Sequence, residues 1–209
     1  MTRDAILARL AAQRVLPVLR LPDAGATIDA VDCLHEAGFR VFEITMTTPG
    51  AEDLIARLAR ERSDSLVGAG TVVNVARADA CLASGAAFVV TPYPVQGVAA
   101  RCRAAGRIAL VGAFTPAEVA VAIDEGADVV KVFPASTGGP AHVAALASIF
   151  PGVVLCPTGG IDDTRIAAYL NAGAAMVGAG SRLVDRDALA RGDRSAAVAH
   201  ARRYLQHGA

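Results

Sequence analysis

Short apolar runs alternate along the chain with longer Ala-rich segments whose apolar positions recur at helical spacing. That alternation is the pattern of a parallel sheet covered by helices. An opening helix is predicted from Arg3 to Gln13. Strands are predicted over residues 15–20, 41–45, 66–71, 88–92, 108–113, 129–133, 153–158 and 176–181. Eight such units in 209 residues predict an α/β protein built as a small (β/α)8 TIM barrel behind an N-terminal helix, one domain over residues 1–209. A six-stranded doubly wound sheet is the alternative, but its G-x-G-x-x-G turn is missing after the first strand.

A repeat adds register to the pattern. Gly38, Gly85, Gly126 and Gly173 each follow a helical segment and precede an apolar run, the place of a left-handed helix-ending glycine. Their spacings of 47, 41 and 47 residues fit every second strand of an eightfold repeat. Five residues beyond each lie Glu43, Val90, Lys131 and Gly178. Alternate strands of a barrel contribute one interior layer, so these four positions are expected to share a layer, with Glu43 facing Lys131.

Lys131 gains weight from composition. Lysine and arginine together number 20, and Lys131 is the only lysine. Arginine stays protonated, whereas a lysine amine can lose its proton, and burial favours that loss, making a nucleophile able to form a Schiff base with a carbonyl. Against this stand a strand-end lysine reaching solvent and a buried Glu43–Lys131 ion pair that ties the barrel together.

Charge and cysteine usage narrow the rest. Twenty basic against 20 acidic residues leave no footprint for nucleic acid or anionic lipid. Hydrophobic residues reach 54%, but the longest uncharged run, residues 132–161, is broken by Pro134, Pro140, Pro151 and Pro157, so no membrane span is expected. The N-terminus carries no signal-peptide apolar core, and a cytoplasmic location is expected. Cys33, Cys81, Cys102 and Cys156 are widely spaced and form no C-x-x-C pair, which suggests neither zinc nor disulfides.

Glycine-rich stretches follow the last two predicted strands: Thr158-Gly159-Gly160-Ile161 and Gly178-Ala179-Gly180-Ser181. Backbone amides freed by glycine form an anion site, and in barrels these two loops are the usual phosphate position. Tight turns would use the same glycines. Gly70-Thr71 after the third strand is less specific, since Thr71 could simply satisfy a backbone group.

With these residues assembled, the sequence resembles the 2-keto-3-deoxy-6-phosphogluconate / 4-hydroxy-2-oxoglutarate aldolase family over nearly its whole length. The marks are Glu43-Ile44-Thr45, Gly68-Ala69-Gly70-Thr71, Thr91-Pro92, Lys131-Val132-Phe133-Pro134-Ala135, Pro157-Thr158-Gly159-Gly160-Ile161 and Gly180-Ser181. The resemblance implies a class I aldolase on a homotrimeric barrel, independent of metal and cofactor. Its small-molecule substrate would be a phosphorylated keto acid, cleaved to pyruvate and glyceraldehyde 3-phosphate, or 4-hydroxy-2-oxoglutarate, cleaved to pyruvate and glyoxylate.

Residue by residue, the resemblance makes Lys131 the Schiff-base lysine and Glu43 the proton carrier. Thr71, Pro92 and Thr158 are expected at the substrate, and Gly159, Gly160, Gly180 and Ser181 at the phosphate. One departure concerns the carboxylate: the phosphogluconate branch has an arginine four residues after the glutamate, where this chain has Thr47. Arg20, at the end of the first strand, resembles the phosphogalactonate branch and is the expected carboxylate clamp; it could instead cap the following loop through Asp23. Thr158 resembles the phosphogluconate branch, so the chain mixes the two patterns. Two other functions fit the same motifs: a phosphate-binding barrel without chemistry, and a barrel holding pyridoxal phosphate on its lysine.

Overall fold

The structure, a computed structural model, describes residues 1–180 and 182–208. In chain order its elements are α1 (Arg3–Gln13), β1 (Val15–Leu19), α2 (Ala24–Ala37), β2 (Val41–Thr45), α3 (Ala51–Glu61), β3 (Leu66–Gly70), α4 (Val75–Ala83) and β4 (Phe88–Val90). They continue with α5 (Val98–Ala104), β5 (Ile108–Ala113), α6 (Pro116–Asp124), β6 (Val129–Val132) and α7 (Ala135–Ile149). A 3-10 turn (Asp163–Arg165), α8 (Ile166–Asn171), β7 (Val177–Ala179), α9 (Arg186–Ala190) and α10 (Arg194–Gly208) complete the chain. The helix expected from residue 3 to 13 is α1, capped by the Thr2 hydroxyl on the Ala5 N–H.

All pairings are parallel, in the order β6-β5-β4-β3-β2-β1-β7. The sheet thus has seven assigned strands, not the eight expected. The missing one is the segment over residues 153–158, which makes single bridges, Val130 to Leu155 and Thr158 to Gly178, in place of a regular ladder. Cys156 and Thr158 turn their N–H groups to β6, so the Pro157 nitrogen, which has no N–H to donate, faces β7 and interrupts pairing on that side. The segment nonetheless runs between the two sheet edges: the Cys156 and Thr158 N–H groups donate to Val130 and Val132 of β6, and Gly178 of β7 donates to the Pro157 carbonyl at 2.8 Å. The seven-stranded sheet therefore curls, with residues 153–158 lying between its edge strands β6 and β7.

The helix-ending glycines behave as the repeat predicts. Gly38, Gly85, Gly126 and Gly173 all have positive φ, from 87° to 118°. An L side chain there would be strained.

Alternation along the strands sends side chains to two cores. Inward residues such as Leu16, Val41, Phe88, Leu110 and Val129 form an inner cluster, closed at the N-terminal ends of the strands by Ile6 and Leu10 of α1. Outward residues such as Phe42, Ile44, Val130 and Val132 pack beneath the helices. Each fully buried aliphatic side chain contributes roughly 1.5–3 kcal/mol relative to exposure. Gln13 fixes α1 to the sheet by donating to the Val15 and Val41 carbonyls and accepting from the Arg40 and Val41 N–H groups. The plugged end cannot admit a ligand to the inner layer, so access is from the C-terminal ends of the strands. No helix among the described residues is long and apolar enough to cross a membrane.

Candidate active site

The inward face of β6 carries Val129 and then Lys131; that of β2 carries Val41, Glu43 and Thr45. Both charged residues are buried, Lys131 at 6% and Glu43 at 1% exposure. Their charged atoms, Lys131 Nζ and Glu43 Oε1, lie 3.8 Å apart. Glycines make this meeting possible. Lys131 pairs in register with Gly112, and Glu43 with Gly68. A Cβ on Gly70 would stand only 1.9 Å from Glu43 Oε1, so the carboxylate occupies the space a side chain would need there.

The separation is longer than a hydrogen bond, and neither Glu43 oxygen has a hydrogen-bond partner among the described residues. Burial pushes the Glu43 carboxyl above its usual range, against the opposing pull of Lys131 and, more weakly, Arg20. An acid in this setting holds its proton more readily than a surface carboxylate and can exchange it with whatever adjoins Lys131. Cys156 is the other nucleophile nearby, but burial raises its thiol to about 12. It is therefore inert, and its proximity leaves Lys131 as the group able to attack a carbonyl.

Above the pair opens a cleft of about 450 Å³, lined by Arg20, Thr71, Pro92, Lys131, Thr158, Gly159, Gly160 and Gly180 among others. The structure thus brings together every described residue singled out from the sequence, with Glu43 beneath the floor. Ser181 lies outside the described residues. Phe133 lines the same cleft, its ring centroid 5.5 Å from Lys131 Nζ. The Thr158 hydroxyl donates to the Cys156 carbonyl at 3.3 Å. The Gly159, Gly160 and Ile161 N–H groups donate to no protein acceptor among the described residues, and Gly159 and Gly160 both have positive φ. A run of undirected amides in that conformation is a ready anion cradle.

Arg20 is anchored on both sides, one guanidinium nitrogen donating to the Thr47 hydroxyl and the other to the Thr71 hydroxyl, each at 3.0 Å. The alternative contact with Asp23 is not made; Asp23 caps α2 on the Ala26 N–H instead. Thr47 is accordingly a support for Arg20, a role its sequence position does not reveal. Thr71 has φ of 59°, a left-handed conformation rare for a β-branched residue, and such strain clusters at functional sites. Sequence reasoning also passed over Arg182 and Arg186, which line the same cleft. Nothing in their local spacing distinguishes them from the chain's other arginines.

Among the described residues no group of three His, Cys, Asp or Glu side chains converges as a metal site would require. What this geometry offers is an amine, a proton carrier, a guanidinium and an amide cradle around one cleft.

Comparison with known proteins bears on that arrangement. The chain is 36% identical over 194 residues to the 2-dehydro-3-deoxy-phosphogluconate aldolase of Treponema pallidum, covering 92% of each protein. To the KHG/KDPG aldolase of Escherichia coli K12 it is 34% identical over 181 residues, covering 86% of this chain and 84% of the relative. Among solved structures it superposes with a TM-score of 0.85, at 28% identity and 94% and 96% coverage, on KDPG aldolase from Legionella pneumophila with pyruvate captured as a covalent carbinolamine intermediate. The family model for KDPG and KHG aldolase matches residues 6–200, which include every residue lining the cleft. On that match and those relatives, the chain belongs to the KDPG and KHG aldolase family.

Proposed function

We propose that this protein is a class I aldolase, a carbon–carbon lyase that cleaves 2-keto-3-deoxy-6-phosphogluconate or its galactonate epimer to pyruvate and glyceraldehyde 3-phosphate. Cleavage of 4-hydroxy-2-oxoglutarate to pyruvate and glyoxylate is a second reaction of the same site. The observation that carries this reading is the buried Lys131–Glu43 pair, 3.8 Å apart at the floor of an open cleft.

Each step has a group to perform it. The Lys131 amine attacks the C2 carbonyl, and Glu43 supplies the proton that lets the carbinolamine lose water. The resulting iminium is the electron sink. Glu43, now ionised, takes the C4 hydroxyl proton as the C3–C4 bond breaks, releasing the aldehyde and leaving an enamine. Protonation of the enamine at C3 and hydrolysis then free pyruvate and the amine. A carboxyl whose affinity for protons is raised by burial suits both donation and acceptance. Arg20, held open-forked between Thr47 and Thr71, is placed to take the substrate carboxylate. Thr71, Pro92 and Thr158 border the keto-acid portion. Gly159, Gly160 and Gly180, with Ser181, take the phosphate.

A purely structural ion pair accounts less well for the same geometry. Such a pair would close to hydrogen-bonding distance, about 2.7–2.9 Å, and satisfy both oxygens. We further infer that residues 153–158 count as the eighth strand of a closed (β/α)8 barrel, that residues 1–209 are one domain, and that the protein works as a cytoplasmic homotrimer.

Pyruvate release, measured with the gluconate, the galactonate and the hydroxyoxoglutarate substrates in turn, tests the function. Release from at least one, abolished in Lys131→Ala, is the expected result. Full activity in that variant, or release from none of the three, would overturn it.

A further inference from the structure

Two arginines on the segment after β7 are not used by the chemistry above. Arg182 and Arg186 line the same cleft as Gly159, Gly160 and Gly180, and the cleft lining contains no carboxylate. Arg182 is oriented by Asp162, its Nη1 donating to Oδ2 at 3.0 Å, so the residue just beyond the Gly159-Gly160-Ile161 turn holds the cation beside it. Arg186 pairs with no carboxylate among the described residues, and it is the first residue of α9. A cation at that end of a helix opposes the backbone dipole, so helix stability does not account for it. Beyond Lys131 and Arg20, these two are the remaining charges on the cleft wall.

We propose that Arg182 and Arg186 are specificity residues that bind the phosphoryl end of the substrate, adding charge to a loop that otherwise offers amides alone. The inference rests on the aldolase reading of the site. Arg20 and Lys131 hold the keto-acid end, and the glycine turn marks the far end; Arg182, held by Asp162, falls on the glycine side, and Arg186 lines the same cleft four residues on. A dianionic phosphate there receives charge-assisted hydrogen bonds, whereas an unphosphorylated sugar acid offers only a neutral hydroxyl. The pair therefore sets the preference for phosphorylated over unphosphorylated substrates, and Asp162 acts as a positioning residue for one member.

The test compares kcat/KM for a 6-phosphorylated 2-keto-3-deoxy sugar acid with that for the same acid lacking phosphate, in wild type, Arg186→Ala, Arg182→Ala and the double variant. Each single change is expected to lower the phosphorylated-to-unphosphorylated ratio about 10-fold, expressed in KM more than kcat, as loss of one partly exposed charge-assisted contact predicts. Raising the salt concentration should depress the wild-type ratio more than the double variant's. Arg182→Lys should recover part of the loss. Borohydride labelling of Lys131 by pyruvate, a ligand without phosphate, is read alongside. If labelling fails in wild type, the aldolase reading itself falls. If labelling succeeds while the ratio stays within twofold of wild type, or while both substrates lose equally, the assignment of these arginines is overturned.

Discussion

Adding one methyl group at Gly70 tests how the carboxylate is held. The Ala Cβ would lie 1.9 Å from Glu43 Oε1 and 2.5 Å from its carboxyl carbon. Ordinary contact is about 3.5–4.0 Å, so Glu43 must withdraw on the order of an ångström and a half or the strands must part. β3 is paired to β2 at five successive positions, Val41–Leu66 through Thr45–Gly70, which makes parting the harder course. Glu43 therefore moves. A displacement of about 1 Å in a proton-transferring group lowers the rate about 100-fold. Gly70→Ala is accordingly expected to reduce kcat by about 10²-fold, with KM little changed. Overpacking also destabilises, by about 1–3 kcal/mol, or roughly 2–4 °C of melting temperature per kcal/mol in a protein this size. Gly68→Ala supplies the control, because its Cβ would meet the Phe88 ring at 2.3 Å and not the carboxylate. Both variants should melt earlier. Steady-state kinetics well below the melting range should show the large kcat loss only in Gly70→Ala. Wild-type kcat in Gly70→Ala, or an equal kcat loss in Gly68→Ala, would refute the argument.

Other outcomes follow from the same geometry. Arg20→Ala should lower kcat/KM about 10-fold, equivalent to about 1.4 kcal/mol of transition-state binding, with melting nearly unchanged because the Arg20 hydrogen bonds among the described residues go to two hydroxyls near the surface. Early melting with normal cleavage would make it structural. Chelation by EDTA should leave the rate unaltered, since the iminium supplies the electrophile; activity lost and restored by a divalent ion would contradict this. Burial raises the thiols of Cys81 to about 11 and of Cys102 and Cys156 to about 12. These folded values exceed the unfolded thiol value of about 8.5, so their stabilising contribution is fully present below that pH and is lost as pH rises toward 11–12. Unfolding midpoints should fall progressively above about pH 9, and alkylation at pH 8 should spare these three cysteines until denaturant is added; rapid labelling of the native protein would refute it.

Much of this architecture is legible in the sequence because it rests on period and count. The glycines at 38, 85, 126 and 173 mark where helices end, and a fixed offset from them leads to Glu43 and Lys131, whose meeting needs only parallel strands of equal rise. The segment over residues 153–158 shows the limit: its apolar run reads as a strand and hydrogen-bonds to β6, but Pro157 has no N–H for β7, and the segment keeps single bridges where a full strand was expected. Contacts set by tertiary placement were illegible. That Arg20 turns to Thr47 and Thr71, away from Asp23 three residues on, depends on how β1, β2 and β3 end side by side. Arg182 and Arg186 join the cleft only because the chain after β7 folds back toward the glycine turn. The left-handed Thr71 has no sequence signal at all, since a β-branched residue argues against that conformation.

The central claim is that the Lys131 amine forms the covalent bond to substrate. Incubation with pyruvate and borohydride, followed by peptide mass analysis, tests it directly, because reduction makes an iminium permanent. The chain's single lysine makes the assignment unambiguous, with the α-amino group as the one other primary amine. The account predicts one reduced pyruvyl unit per chain, on Lys131, with activity lost in proportion, and far slower labelling in Glu43→Gln. An unmodified Lys131 in protein that still cleaves substrate would contradict it.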